Sequence, residues 1–378
     1  MRCWPPLSPP ATTEVRQILT VIPVLAFLGA AADTGPTWQR SYFYDEAESS
    51  FDILAIACPS ERVCLAVGVV EENVGRTRPY GVVTRDGGEH WSPAKPEDFP
   101  VSLFFLNQTE GWMVTDHGLW STQDAGETWK KTRSGTGYLA LAFTDPQHGW
   151  LAGGKRLFET TSDGGAHWAP VPQLTHYAGF PQDLNFEYIH FHDPLDGEVI
   201  GEASAPDDRT LPDWMNPETA RYRTPARGGI FGGRTTDGGR TWTLKTIDPR
   251  RRLAVAAFPS PGRDWFVFVP PPTELHSEIT ERDWKSGESN ALYRMDDARI
   301  SDVETGGDGL VVVAGVAVAG RLADTPVPGK VRILKGAGLS QLQEETVDYR
   351  AVARRIVLAR AGTHWFAATD TGMILRRK

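Results

Sequence analysis

The residues of this chain that could do chemistry are a group of carboxylates, a histidine pair and two sets of arginines and aromatics. Glu187, Asp193, Glu198 and Glu202 lie close together in the sequence. A glycosidase needs two such carboxyls, one as acid and one as base or nucleophile, at a defined separation across a cleft. Carboxylates in turns and at strand edges are more often simply solvated, so no catalytic residue is assigned. His190-Phe-His192 would place two imidazoles on one face of a strand. No third ligand is in view, and neither a His-Glu-x-x-His motif nor a Cys/His ligand spacing occurs, so no metal and no cofactor is expected. Trp214, Arg221, Tyr222, Arg223 and Arg227 fall in a segment rich in Pro, Asp and Arg, residues 202–227. Arg250, Arg251 and Arg252 form a basic run, and Trp284 stands outside any repeat. Aromatic residues and Arg are the types enriched at interface hot spots, and the guanidinium fork matches a carboxylate. Two readings stay open for them: a partner-binding patch, or side chains that pin loops to the body of the fold.

The element that must position these residues is written four times. The phrase Thr-x-Asp-x-Gly-x-x-Trp occupies residues 84–91, 122–129, 161–168 and 235–242. Its marker residues are Asp86, Gly88 and Trp91; Asp124, Gly126 and Trp129; Asp163, Gly165 and Trp168; and Asp237, Gly239 and Trp242. The Asp side chain can accept hydrogen bonds from the N–H groups of its own turn, the Gly supplies a positive φ, and the Trp covers the turn. Short strand-type runs precede and follow each box, so the box joins two antiparallel strands. A repeat of this period means units that bury their apolar faces on one another. Counting the apolar openings gives seven units, beginning near Ile53, Leu103, Leu139, Tyr188, Leu253, Leu310 and Ile356.

The last unit stops after residues 373–378, one strand short, while residues 37–44 stand before the first unit with the opening of a fourth strand. Pairing them removes two sheet edges. The expectation is an all-β, seven-bladed β-propeller of four-stranded antiparallel blades, closed by an N-terminal strand in the last blade. Residues 33–378 are read as one propeller domain.

Residues 1–32 read as a signal peptide: an apolar stretch after Arg16 ends in Ala30-Ala-Ala32. The other reading is an uncleaved anchor. Cleavage would remove Cys3 and leave Cys58 and Cys64, spaced to clasp a hairpin as a disulfide in an oxidising compartment, with two buried thiols as the alternative. The net charge is −9 and becomes −10 without Arg2, Glu14 and Arg16, so nucleic acid is not an expected partner.

The repeated boxes preceded by Gly-Trp strands resemble the Asp-box (BNR) propellers, and in particular the photosystem II stability/assembly-factor-like family. The resemblance covers residues 37–378. It implies an exported, periplasmic or extracellular, non-enzymatic scaffold that binds a membrane-protein partner through an arginine-rich surface. Asp boxes also occur in sialidases, in xyloglucan-cleaving enzymes and in peptide receptors. The alternative is therefore a carbohydrate-active enzyme or lectin with a glycan ligand. A sialidase would carry an Arg-Ile-Pro segment, which this chain lacks.

In a blade whose boxes join the third and fourth strands, the loops between the second and third strands emerge at the opposite face. Most long insertions fall there, at residues 71–79, 202–227, 270–289 and 321–329, and Arg250 to Arg252 should emerge on the same face. Loops displayed by a rigid scaffold are the usual place for recognition, so a protein or peptide segment is expected to bind there.

Overall fold

Runs of alternating residues punctuated by Gly and Asp turns give strands almost throughout, and a strand with two apolar faces must be covered on both sides. Stacking blades in a ring achieves this. A computed structural model describes residues 35–73, 75–203, 229–270, 274–306, 308–318, 321–322 and 325–378. Pro36–Lys378 forms one unit. The proposed signal peptide, residues 1–32, lies outside the described residues.

Among the described residues this unit has seven blades, each with four antiparallel strands; six run in sequence order from the inner to the outer edge, and blade six carries an extra short strand, Val352–Ala353, on its third. Their inner strands are Ser49–Ala57, Pro100–Phe105, Tyr138–Phe143, Leu184–Phe191, Leu253–Ser260, Ala298–Thr305 and Ile356–Ala361. Successive inner strands neighbour one another, those of blades four and five through a shared cluster that includes Tyr188, Leu253 and Ala256, and the last returns against the first. The fourth strand of blade seven is Trp38–Phe43, paired antiparallel with Met373–Arg377. The ring closes through this strand.

The box turns have one geometry. In blade two, Thr122 Oγ1 donates to Asp124 Oδ1 at 2.7 Å and accepts from Gly126 N at 3.0 Å, while Asp124 Oδ1 accepts from Thr128 N at 2.8 Å. Gly126 has φ of 83°, where a Cβ would be strained. Trp168 and Trp242 donate to the carbonyls of Gly165 and Gly239 in their own boxes, whereas Trp91 donates to Ser41 of blade seven. Between blades, Trp112 stacks on Phe143 at 3.8 Å and Trp150 on Phe191 at 4.0 Å.

Three expectations are corrected. No long insertion lies at residues 71–79, because the second and third strands of blade one, Cys64–Glu72 and Thr77–Thr84, pair up to Glu71 and Thr77 and leave only residues 73–76 between them. Blade six begins at Ala298, not near Leu310: Ala298–Thr305 is its inner strand and Val311–Ala317 its second. Arg299, Ser301, Asp302 and Glu304 interrupt the apolar signal of that inner strand. The insertion placed at residues 270–289 is also shorter, because Ser277–Asp283 is the third strand of blade five and residues 284–288 form its turn to Ser289–Met295.

Cys58 and Cys64 are joined as a disulfide across the first turn of blade one. The loop it closes is short, so replacing both cysteines with serine is expected to lower the unfolding free energy by only roughly 2 kcal/mol. Urea unfolding of the oxidised chain and the double variant measures this.

Candidate functional site

Antiparallel strand order divides the ring into two faces. One carries the first turns of the blades and the boxes; the other carries the loops between second and third strands and the connectors that enter each new blade. On the loop face, the connector into blade five begins as Asp248 Oδ1 accepts the N–H groups of Arg250 and Arg251 at 2.8 and 2.9 Å. Arg251 donates to Asp248 Oδ2 and lies over the Phe268 ring at 3.5 Å. Arg252 is held by Glu202, whose other oxygen accepts the Leu253 N–H. Arg250 is exposed, and among the described residues its guanidinium has no carboxylate partner.

The same face exposes apolar side chains. Val269 and Leu275 lie in the loop of blade five, Val318 in that of blade six and Tyr177 in the connector into blade four; their exposures run from 39% to 52%. Arg299 of blade six pins the blade-five loop by donating to the carbonyls of His276, at 3.0 Å, and of Glu274. A cation and apolar tips on a pinned loop make a surface able to hold an extended segment by its carboxylates and side chains.

Most other arginines here are already paired. Arg78 meets Glu46 and Glu72, Arg354 meets Asp370, and Arg355 reaches across to Asp52 and the Ile53 carbonyl of blade one. The basic surface implied by the resemblance is therefore narrow among the described residues. Trp214, Arg221, Tyr222, Arg223 and Arg227 lie outside the described residues. Trp284 is not displayed on this face. It is buried in the turn of blade five at the box face and donates to Asp264 at 2.6 Å.

The four neighbouring carboxylates have separate fates. Asp193 Oδ1 accepts the N–H groups of Leu195 and Asp196 within its own turn. Glu202 holds Arg252, and Glu198 is buried between blades four and five. Glu187 sits at a bulge of its inner strand. Its side chain is exposed to solvent, yet crowding by the surrounding protein, helped by the Glu202 charge and opposed by Arg252, pushes its carboxyl up to about 7. Of the other inner-strand acids, Asp52 is paired with Arg355, and Asp302 accepts the N–H groups of Val303 and Leu358. Two inner-strand carboxylates, Glu187 of blade four and Glu304 of blade six, are thus free of a direct hydrogen bond among the described residues; desolvation and the Asp302 charge, opposed by Arg360, push Glu304 up to about 8.

His190 and His192 do share a face, with ring centroids 4.5 Å apart. Each is engaged: His190 stacks on Phe258, and His192 meets Glu198 at 3.2 Å. Burial, then the His192 charge, depresses His190 to about 4. The folded chain therefore binds fewer protons there than the unfolded one. Its contribution is complete above the ordinary histidine range and is lost as pH falls from 6.5 toward 4. His190→Phe is expected to flatten that part of the stability profile, read from Tm between pH 4 and 7.

On the box face, a cleft of about 490 Å3 between blades three and four is lined by Trp150, Asp163, His167, Trp168, Leu195 and Arg240. Asp163 is tied to His167 at 2.7 Å.

No protein-family model matches the chain, and no curated protein matches it. Solved structures do. YCF48 bound to D1 peptide is 15% identical at a TM-score of 0.57, over 89% of this chain and 98% of that one. YCF48 from Cyanidioschyzon merolae is 14% identical at a TM-score of 0.56, over 90% and 98%. The extracellular domain of the putative one component system BT4673 from B. thetaiotaomicron is 11% identical at a TM-score of 0.53, over 90% of this chain and 40% of that one. At these identities the likeness defines the class: a seven-bladed β-propeller similar in fold to YCF48.

Proposed function

We propose that this chain is an exported, non-catalytic propeller that serves as a protein-binding or assembly scaffold. In this reading it holds an extended segment of a partner protein on the loop face of blades four to six. The observation that carries it is the pinned loop with exposed Val269 and Leu275 beside Val318 and the unpaired Arg250. The similar YCF48 structure holds a D1 peptide, which supports a peptide as the kind of partner. A segment of a membrane protein is the partner class that the family resemblance favours. Export is supported by the apolar stretch ending at Ala32 and by the disulfide, which persists in oxidising compartments.

The test is selection of linear peptides from a random display library on the immobilised full chain, followed by affinity measurement. Selected peptides should be acidic and apolar, and Arg250→Ala with Leu275→Ser should weaken them at least tenfold. Equal binding by the double variant would remove this face from the account. Turnover of nitrophenyl glycosides would remove the non-catalytic reading.

A further inference from the structure

The second strand of blade four departs from its neighbours. Blades two and three open this strand with Gly111-Trp112 and Gly149-Trp150, whereas blade four opens it with Gly197-Glu198. Glu198 is fully buried, and so is Asp264 of blade five. Glu198 Oε1 accepts from Arg234 Nε at 3.1 Å and from the Gly262 N–H of blade five at 2.8 Å, and Oε2 meets His192 Nε2 at 3.2 Å. Asp264 Oδ2 accepts from Trp284 Nε1 at 2.6 Å, but its Oδ1 is buried with no donor. Through the Gly262 N–H, two residues before Asp264, Glu198 is anchored beside it, so the two fully buried carboxyls share one seam between blades four and five.

Two buried carboxylates side by side repel, and neither can donate to the other. A single proton removes the repulsion and turns the orphan oxygen into a donor. The facing groups leave that need unmet. From blade four come His190, His192, Asp196 and Arg234, with Arg234 already shared between Asp196 and Glu198. Asp196 Oδ1 is itself buried without a partner. Lys245 of blade four donates to the Trp284 carbonyl, and Arg282 of blade five to the Ile247 carbonyl. No three metal-ligating groups converge among the described residues.

We propose that Asp264 stays an un-ionised carboxylic acid in the folded chain at neutral pH and donates to Glu198, forming a proton-dependent latch between blades four and five. Burial first, then the Glu198 charge, pushes the Asp264 carboxyl well above its ordinary range. Burial opposes ionisation of Glu198 too, but His192, the Gly262 N–H and Arg234 together hold it below its ordinary range. The signs are opposite. The Asp264 contribution is full below the unfolded value near 3.8 and declines as pH rises toward the folded value, because the folded chain holds a proton the unfolded one releases. The Glu198 contribution is present at neutral pH and is lost only in acid.

Asp264→Asn keeps a donor toward Glu198 and an acceptor for Trp284 without a titratable proton. Unfolding of the full chain is measured from pH 6.5 to 9 for wild type and this variant. The ratio of wild-type to variant unfolding constants should rise about tenfold per pH unit until the folded Asp264 ionises. Parallel curves overturn the latch. Infrared spectra of wild type labelled with 13C-aspartate supply a second readout that does not depend on the variant folding. An isotope-shifted C=O stretch of an un-ionised acid at pH 7.5 is expected, and its absence overturns the proposal.

Discussion

Trp38→Ala is expected to lower the unfolding free energy by about 3–5 kcal/mol, the range for emptying a buried aromatic site. Trp38 has no exposed surface and packs in a cluster that joins blades six and seven, with Ile333, Ala353, Trp365 and Leu375 among its members. Its indole N–H donates to Glu345 at 2.8 Å, and its backbone exchanges hydrogen bonds with Thr346 and Asp348 of the segment following the outer strand of blade six. Glu345 also holds Arg377. One side chain thus fastens the closing strand to two blades. Trp38→Phe keeps most of the packing and isolates the indole hydrogen bond, which should account for about 1–2 kcal/mol of the loss. Urea unfolding of the three forms checks this. A loss below about 1 kcal/mol for the alanine variant, well short of a buried large-to-small cost, would mean that the closing strand is not held as described.

Arg234→Leu should cost a similar amount, about 3–5 kcal/mol at neutral pH, because it strands charges rather than opening space. Arg234 holds Asp196 Oδ2 at 2.6 Å and the fully buried Glu198 at 3.1 Å. With the guanidinium gone, His192, the Gly262 N–H and the proposed Asp264 proton remain around Glu198, and none of them replaces the fixed positive charge. The penalty should shrink as pH falls toward 4 and the stranded carboxylates take up protons, so the variant and wild-type stability curves converge in acid. A constant offset across pH would assign the loss to packing instead of charge.

The parts of the fold legible in the sequence are those where a backbone shape demands particular residue types. A box turn needs Thr, Asp and Gly at fixed places, so all four were readable, and residues 37–44 could be matched to the unfinished last blade. Blade five turns at the same place without the phrase and with different hydrogen bonds. Asp283 Oδ1 accepts the N–H groups of Lys285 and Ser286, Gly287 has φ of 76°, and Trp284 turns inward to Asp264. Nothing in the sequence separates that Trp from a surface anchor until its strand is placed. Ala298–Thr305 was obscured by its own polar residues, two of which reach the next blade: Ser301 donates to the Ile356 carbonyl and Asp302 accepts the Leu358 N–H. The candidate face was legible only as a face. Val269, Leu275 and Val318 are ordinary apolar letters whose exposure depends on loop paths, and the pairing of Arg251 and Arg252 depends on Asp248 and Glu202 arriving from other strands.

The most direct test of the binding account is hydrogen–deuterium exchange on the full chain with and without a library-selected peptide. The account predicts protection at residues 249–252, 269–276 and the neighbouring loop of blade six, with the box turns unchanged. Protection confined to the box-face cleft, at residues 162–168 and 237–240, would contradict it.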